Sequence, residues 1–222
     1  MKTIYFEEIS STNDYLKNLE SEEDVLAIAK RQTGGRGTKG RSFISAEGGV
    51  YLSLLRLNPC KAEDCFSIMM NSAVAVVKTL HAFDIKAKIK WPNDILVDGK
   101  KICGILIENV FSGEMVARSI VGIGLNVNND LAKEIEDIAT STKIILNKEL
   151  SPPTVTATLC YNLYQNYGFE DYSRHLLFVG EEVTIITQKS AYKAFIDQIL
   201  PNGNLKTKDG KVFSAGEISI RS

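Results

Sequence analysis

Short apolar runs alternate with helical stretches along most of this chain. Ile4-Tyr5-Phe6 reads as a strand, and Ser11-Thr12-Asn13-Asp14 supplies N-cap residues for a helix through Tyr15-Leu16-Lys17-Asn18-Leu19. Strands follow over 25–30 and 50–56. A helix is predicted over 62–83, because Cys65, Ile68, Met69, Ala73, Val76, Val77 and Leu80 recur at helical spacing. Residues 86–90 read as a strand ending at Trp91-Pro92, and the runs 95–97 and 102–107 flank Asp98-Gly99, a strong hairpin signal. Two further strands are predicted over 115–120 and 121–127, with a turn near Ser112-Gly113. Residues 131–168 read as two helical pieces, broken at Ser151-Pro152-Pro153.

The tail has a different character. From about residue 177, Val183-Thr184-Ile185-Ile186, residues 191–200 and Val212-Phe213 are separated by glycine-containing turns, the pattern of a small β-barrel of about 45 residues. A boundary is expected near residues 172–175, giving domains over 1–174 and 175–222. The sequence contains no internal repeat and no low-complexity segment.

Composition narrows the classes. Among 222 residues, 24% are charged and 44% hydrophobic, ordinary values for a water-soluble globular protein. The net charge of −1 gives no field that would draw the chain to nucleic acid or an anionic membrane. There is no N-terminal apolar leader and no long apolar run, which predicts a cytoplasmic location. Cys60, Cys65, Cys103 and Cys160 form no C-x-x-C pair, and with only two histidines the expected state is reduced, mostly buried thiols rather than a zinc site.

The candidate chemistry starts at Gln32-Thr33-Gly34-Gly35-Arg36-Gly37-Thr38-Lys39-Gly40-Arg41. Glycine lets a backbone approach a ligand closely, and the interleaved cations suit a carboxylate or phosphate. Gly35-x-Gly37-x-x-Gly40 fits the dinucleotide fingerprint and, with Arg41-Ser42, nearly fits a P-loop. Both motifs need a helix directly after the loop. Residues 42–49 have no helical period and run into the strand at 50, so neither reading holds.

Three other clusters bear on this loop. Ser11-Thr12-Asn13 are adjacent hydrogen-bonding residues at a helix start, where capping needs only one of them. Lys90-Trp91-Pro92-Asn93-Asp94 ends a strand and is followed by Lys100-Lys101 in the hairpin, an arrangement suited to phosphate and metal. Gly122-Ile123-Gly124-Leu125-Asn126 places glycines inside a strand, a mark of close approach by a ligand or another backbone.

Together these segments resemble the biotin–protein ligases. Ser11-Thr12-Asn13, Gln32-x-x-Gly35-Arg36-Gly37-x-x-Gly40-Arg41, Lys90-Trp91-Pro92-Asn93-Asp94, Lys101-x-x-Gly104-Ile105-Leu106-Ile107-Glu108 and Gly122-x-Gly124-x-Asn126 stand in family order across about residues 5–130. The resemblance implies an α+β fold: a catalytic domain like the class II aminoacyl-tRNA synthetases and biotin–lipoate ligases, plus a C-terminal SH3-like β-barrel. Only ten residues precede Ser11, so a short form without a helix-turn-helix domain is expected. The implied reaction is ATP-dependent formation of biotinyl-AMP, then transfer to a lysine of a biotin carboxyl-carrier protein or domain. A lipoate–protein ligase, or a catalytically silent biotin- or nucleotide-binding protein, are the alternatives.

The resemblance also implies roles. Ser11, Thr12, Asn13, Gln32, Gly35, Gly37, Thr38 and Gly104 would line the biotin pocket. Arg36 and Lys101 would act on biotin's carboxylate and the α-phosphate from opposite sides, as catalytic residues touching both substrates. Arg41, Phe43, Trp91, Asn93 and Asn126 would contact ATP, and Asp94 would face Mg²⁺. Two positions depart from the family pattern: Thr38 stands where a second loop arginine is common, and Phe43 where a tryptophan often follows the loop. An exposed sheet edge is compatible with a homodimer.

Overall fold

A computed structural model describes residues 1–57 and 59–221. In chain order its elements are β1 (Lys2–Ile9), α1 (Thr12–Lys17), β2 (Val25–Gln32), β3 (Val50–Arg56), β4 (Cys60–Lys61), α2 (Phe66–His81), β5 (Lys88–Lys90), β6 (Asp94–Val97), β7 (Lys100–Ser112) and β8 (Met115–Leu125). There follow α3 (Thr142–Leu146), α4 (Pro152–Leu163), α5 (Phe169–Ser173), β9 (Glu182–Ile186), β10 (Ala191–Ile199), β11 (Leu205–Thr207), β12 (Val212–Phe213) and β13 (Ser219–Arg221).

The first eight strands form one mixed sheet in the order β1-β2-β3-β8-β7-β6-β5, with β4 beside β8. Only the β1–β2 pair is parallel, because α1 carries the chain back between them. The last five strands form a second sheet, ordered β12-β11-β10-β9-β13. Alternation along β2 shows how the larger sheet is covered. Val25 and Ala27 pack with Leu16 of α1 on one face, whereas Leu26 joins Val76, Val77 and Leu80 of α2 on the other. Central β3 therefore reads as a continuous buried run. Among the described residues, no helix is long and apolar enough to cross a membrane.

Several expectations need correction. Residues 115–120 and 121–127 are one strand, β8, paired along its length with β7. The first helical piece over 131–168 shrinks to a 3₁₀ turn at Lys133–Ile135 and to α3, because this segment bonds to its neighbours: Lys101 N donates to Ile138 O and Thr140 N donates to Lys101 O. β1 is longer than Ile4-Tyr5-Phe6, α5 was not anticipated, and α2 begins only at Phe66, after a 3₁₀ turn at Ala62–Asp64. The Asp98-Gly99 hairpin is present, with both residues at positive φ (48° and 78°), as a type I′ turn requires. All four cysteines are free thiols, but only Cys103 is fully buried.

Candidate functional site

Strand register builds the floor of the site. One cross-strand row runs Ala27–Ser53–Gly122–Leu106, and the next runs Ala29–Tyr51–Gly124–Gly104–Asp94. Residues opposed in this way share a face, here the face covered by α1. Three glycines in adjacent positions leave a bare patch of backbone. A Cβ on Gly122 would lie 2.1 Å from Asn13 Oδ1, and one on Gly124 would lie 2.5 Å from Phe43 Cε1. Glycine is therefore what lets Asn13 and the Phe43 ring rest on the sheet. Lys101 Nζ sits 5.9 Å from the centre of that ring.

The start of α1 forms one wall. Ser11 caps the helix, its Oγ accepting from Asp14 N at 3.3 Å. Thr12 and Asn13 point inward and are buried. Gln32 Oε1 accepts from Thr12 N at 2.8 Å and faces Thr12 Oγ1 at 3.0 Å. Ser53, fully buried, bonds to both Thr12 Oγ1 (2.7 Å) and Asn13 Oδ1 (2.5 Å).

Cations form the opposite side. The glycine-rich loop folds back on itself, Gly37 N donating to Arg41 O and Phe43 N to Gly35 O, which aims Arg36 and Arg41 at the cavity. Arg36 pairs with Asp14 and Glu108, the latter at 2.9 Å. Lys101 pairs with Asp94 at 2.6 Å. Lys39, at φ 57°, turns away and donates to Ile218 O in the segment leading to β13. Partial burial pushes the Glu108 carboxyl up, but hydrogen bonds from Asn13 and Lys17 and the charges of Arg36 and Lys17 outweigh it, leaving it below the usual range. Burial pushes the Lys90 ammonium down; Asp94 opposes this, while Lys101, Arg221 and Arg41 reinforce it.

The cavity so formed gathers Ser11, Thr12, Asn13, Gln32, Arg36, Gly37, Thr38, Arg41, Phe43, Asn93, Asp94, Lys101 and Gly104 in one lining. Thr38, Arg41, Asn93 and Asp94 also border a wider cavity that reaches the second sheet. Three anticipated residues lie elsewhere. Gly35 is outside the lining and allows the two arms of the loop to cross: a Cβ there would lie 2.3 Å from Phe43 O. Trp91 is buried, borders only the wider cavity, and donates its indole N–H to Gly203 O at 2.8 Å. Asn126 donates its amide N–H to Thr140 O and accepts from Asn129, in the segment after β8 that bridges to Lys101 of β7.

Ser53 was missed altogether, and Asp14 and Glu108, though part of the motifs quoted above, were given no place in the site. Period-two alternation puts Glu108 on the face of Gly104, so the strand pattern held that signal. Asp94 is the one carboxylate in the lining among the described residues, and no cluster of three potential metal ligands occurs among them. A single carboxylate beside three cations suits a Mg²⁺ ion that arrives with phosphate oxygens and water as its other ligands. The whole arrangement can hold a neutral polar head group at the α1 wall and an anion between the cations.

Comparison with known proteins gives the chain a family. Residues 5–126, more than half of the chain, match the biotin/lipoate A/B protein ligase family. The bifunctional ligase/repressor BirA of Bacillus subtilis is 38% identical over 180 residues, covering 75% of this chain and 55% of that protein. This chain thus spans about half the length of that curated relative. A biotin–[acetyl-CoA-carboxylase] ligase of Paracoccus denitrificans is 34% identical over 106 residues, covering 45% of this chain and 43% of that one. The biotin protein ligase of Aquifex aeolicus, solved with biotin and ATP, superposes with a TM-score of 0.85 at 28% identity, covering 99% of this chain and 98% of that one. The matched segment contains every residue of the α1 wall, the glycine-rich loop and the glycine floor, and the chain accordingly belongs to the biotin/lipoate A/B protein ligase family.

Proposed function

We propose that the chain is a biotin protein ligase, which activates biotin with ATP and passes it to a lysine of a carboxylase's biotin carrier domain. The observation that carries this reading is the two-sided cavity: a neutral hydrogen-bonding wall facing Arg36, Arg41 and Lys101. Its support from outside is the similarity to a ligase solved with both substrates.

In the first half-reaction a carboxylate oxygen of biotin attacks the α-phosphorus of ATP. The bond to the bridging oxygen breaks, and pyrophosphate leaves with its electron pair. Two anions must meet, so Arg36 and Lys101 act by neutralising charge on the carboxylate and α-phosphate from opposite sides. Arg41 holds the phosphates, and Thr12, Asn13 and Gln32 hold the ureido ring. Ser11, Gly37, Thr38 and Gly104 complete the biotin pocket. Phe43 gives up the glycine floor to the adenylate and covers it. Asp94 would hold Mg²⁺, which supplies further neutralisation of the phosphates when bound. In the second half-reaction a neutral lysine amine attacks the acyl carbon, the bond from that carbon to the phosphate oxygen breaks so that AMP departs with its electron pair, the nitrogen sheds one proton to water, and an amide forms. Closing the loop over the adenylate would exclude water from this activated anhydride.

In this reading residues 1–174 are a catalytic domain like those of class II aminoacyl-tRNA synthetases, and residues 175–222 are an SH3-like barrel. The protein works in the cytoplasm, and the open edge at β1 is where a homodimer would form. The test is biotin-dependent ATP–pyrophosphate exchange with Mg²⁺, run beside lipoate. Exchange with biotin alone is expected; exchange with lipoate alone, or with neither, would overturn the assignment.

A further inference from the structure

The α1 wall is a hydrogen-bonded chain whose polarity can be worked out from its ends. At one end Ser45 Oγ donates to Phe43 O at 3.1 Å, so it accepts from Gln32 Nε2 at 3.0 Å, and Gln32 Oε1 must face Thr12. At the other end Glu108 is a carboxylate, which only accepts. Asn13 therefore presents Nδ2 to Glu108 Oε2 at 3.0 Å, and its Oδ1 must receive the Ser53 proton. Protons thus run outward to both ends. In the middle, Gln32 Oε1 takes the Thr12 N–H at 2.8 Å, and Ser53 Oγ and Gln32 Oε1 share the single hydroxyl proton of Thr12, at 2.7 and 3.0 Å. The centre of the wall has more oxygen lone pairs than protons.

We infer that Glu108 is a positioning residue: as an obligatory acceptor it fixes the amide of Asn13 and leaves the wall short of protons, ready to accept the N–H groups of a cyclic urea. This inference rests on the biotin ligase reading. Glu108 never touches the ligand. It acts through Asn13 and Ser53, and the fixed acceptor matters here, not the charge. Lys17 bonds the other oxygen, Oε1, whereas Arg36 donates to the same Oε2 that accepts from Asn13, so any change at Glu108 also releases Arg36 and has to be controlled for.

Two substitutions separate acceptor from charge. Glu108→Gln and Glu108→Met both remove the charge beside Arg36 and Lys17, but only Gln keeps an oxygen for Asn13, held at the Oε2 place by the Arg36 donor while its NH2 takes the Oε1 place. Without an anchor Asn13 can turn over and donate to Ser53, which lets Ser53 donate to Thr12 and Thr12 to Gln32, filling the lone pairs the ligand needs. The expected result is a rise in the KM for biotin of about tenfold or more in Glu108→Met, one lost hydrogen bond's worth. Glu108→Gln should stay close to wild type, with the KM for ATP shifted equally in both variants. Biotin-induced thermal stabilisation, measured without ATP, should follow the same order. If Glu108→Met misfolds, Glu108→Ala takes its place: it should raise the biotin KM in the wild-type background but leave it unchanged when added to Asn13→Ala, because Glu108 acts only through Asn13. Equal biotin KM values for the Gln and Met variants, or an unchanged value in Met, would overturn the inference while wild-type exchange stands. Absent exchange in the wild type would instead overturn the ligase reading and the inference together.

Discussion

Replacing Gly122 by alanine should damage this protein more than any other single added methyl on the sheet floor. The new Cβ would stand 2.1 Å from Asn13 Oδ1 and 2.8 Å from its Cγ, and both are wall atoms rather than the far end of a mobile chain. Asn13 is 5% exposed and Ser53 is fully buried, so the space Asn13 can retreat into is the cavity it lines, away from Ser53 and Glu108. Its displacement breaks the bonds to Ser53 and Glu108, each contributing about 0.5–1.5 kcal/mol. Overpacking adds about 1–3 kcal/mol when nothing relaxes and less when Asn13 swings outward. A net loss of about 2–6 kcal/mol follows from these terms, or a Tm lower by roughly 4–24 °C for a chain of this length. Thermal unfolding by circular dichroism reads this directly, and the stabilisation by added biotin should vanish as well. A Gly122→Ala protein that melts within 2 °C or so of wild type and is still stabilised by biotin would refute the placement of Asn13 on that strand.

Other outcomes follow from the same geometry. Arg36→Ala should abolish biotin-dependent pyrophosphate exchange, because the carboxylate and α-phosphate would then face each other with one cation fewer; near-normal exchange would remove Arg36 from the reaction centre. Gly203→Ala should lower the Tm by several degrees, roughly 2–4 °C per kcal/mol, since φ is +86° and the new Cβ would lie 2.2 Å from the Phe66 ring. An unchanged melting curve would mean that Phe66 packs elsewhere. Burial and the neighbouring His81, Lys88 and Lys78 hold His175 down at about 4 against an ordinary 6.5, with Asp171 opposing. The unfolded chain therefore takes up a proton below pH 6.5 that the folded one refuses, so this group's stabilising contribution is complete above pH 6.5 and is lost as the pH falls towards 4. The Tm difference between wild type and His175→Gln should change across that window, and a flat difference would refute the shift.

How much of this was legible beforehand depended on whether the signal was local. The Ser11 cap, the absence of a helix after the glycine-rich loop and the Asp98-Gly99 turn follow from neighbouring residues alone, and each stands in the structure. The segment that forms β8 read as two strands, 115–120 and 121–127, because an apolar run does not by itself show where one strand ends and the next begins. What holds it together is pairing with β7, which no local window contains. Ser53 was hidden for the same reason: within an apolar strand it looks like one polar interruption, and only the register with Gly122 brings it beneath Asn13. Asn126 follows the glycine strand so closely that it read as a ligand contact, yet its amide is engaged by Thr140, fourteen residues on.

The chain contains a single tryptophan, and it lies where the two sheets meet, 3% exposed with its indole N–H bonded to Gly203 O. Intrinsic tryptophan emission is therefore a one-position gauge. The glycine-rich loop carries no indole of its own, and the emission reports on the joint between the sheets and the wider cavity there, which Thr38, Lys39 and Arg41 of that loop also border. A red shift during denaturant titration would time the parting of the sheets, and comparison with far-ultraviolet dichroism would tell whether they separate before either one unravels.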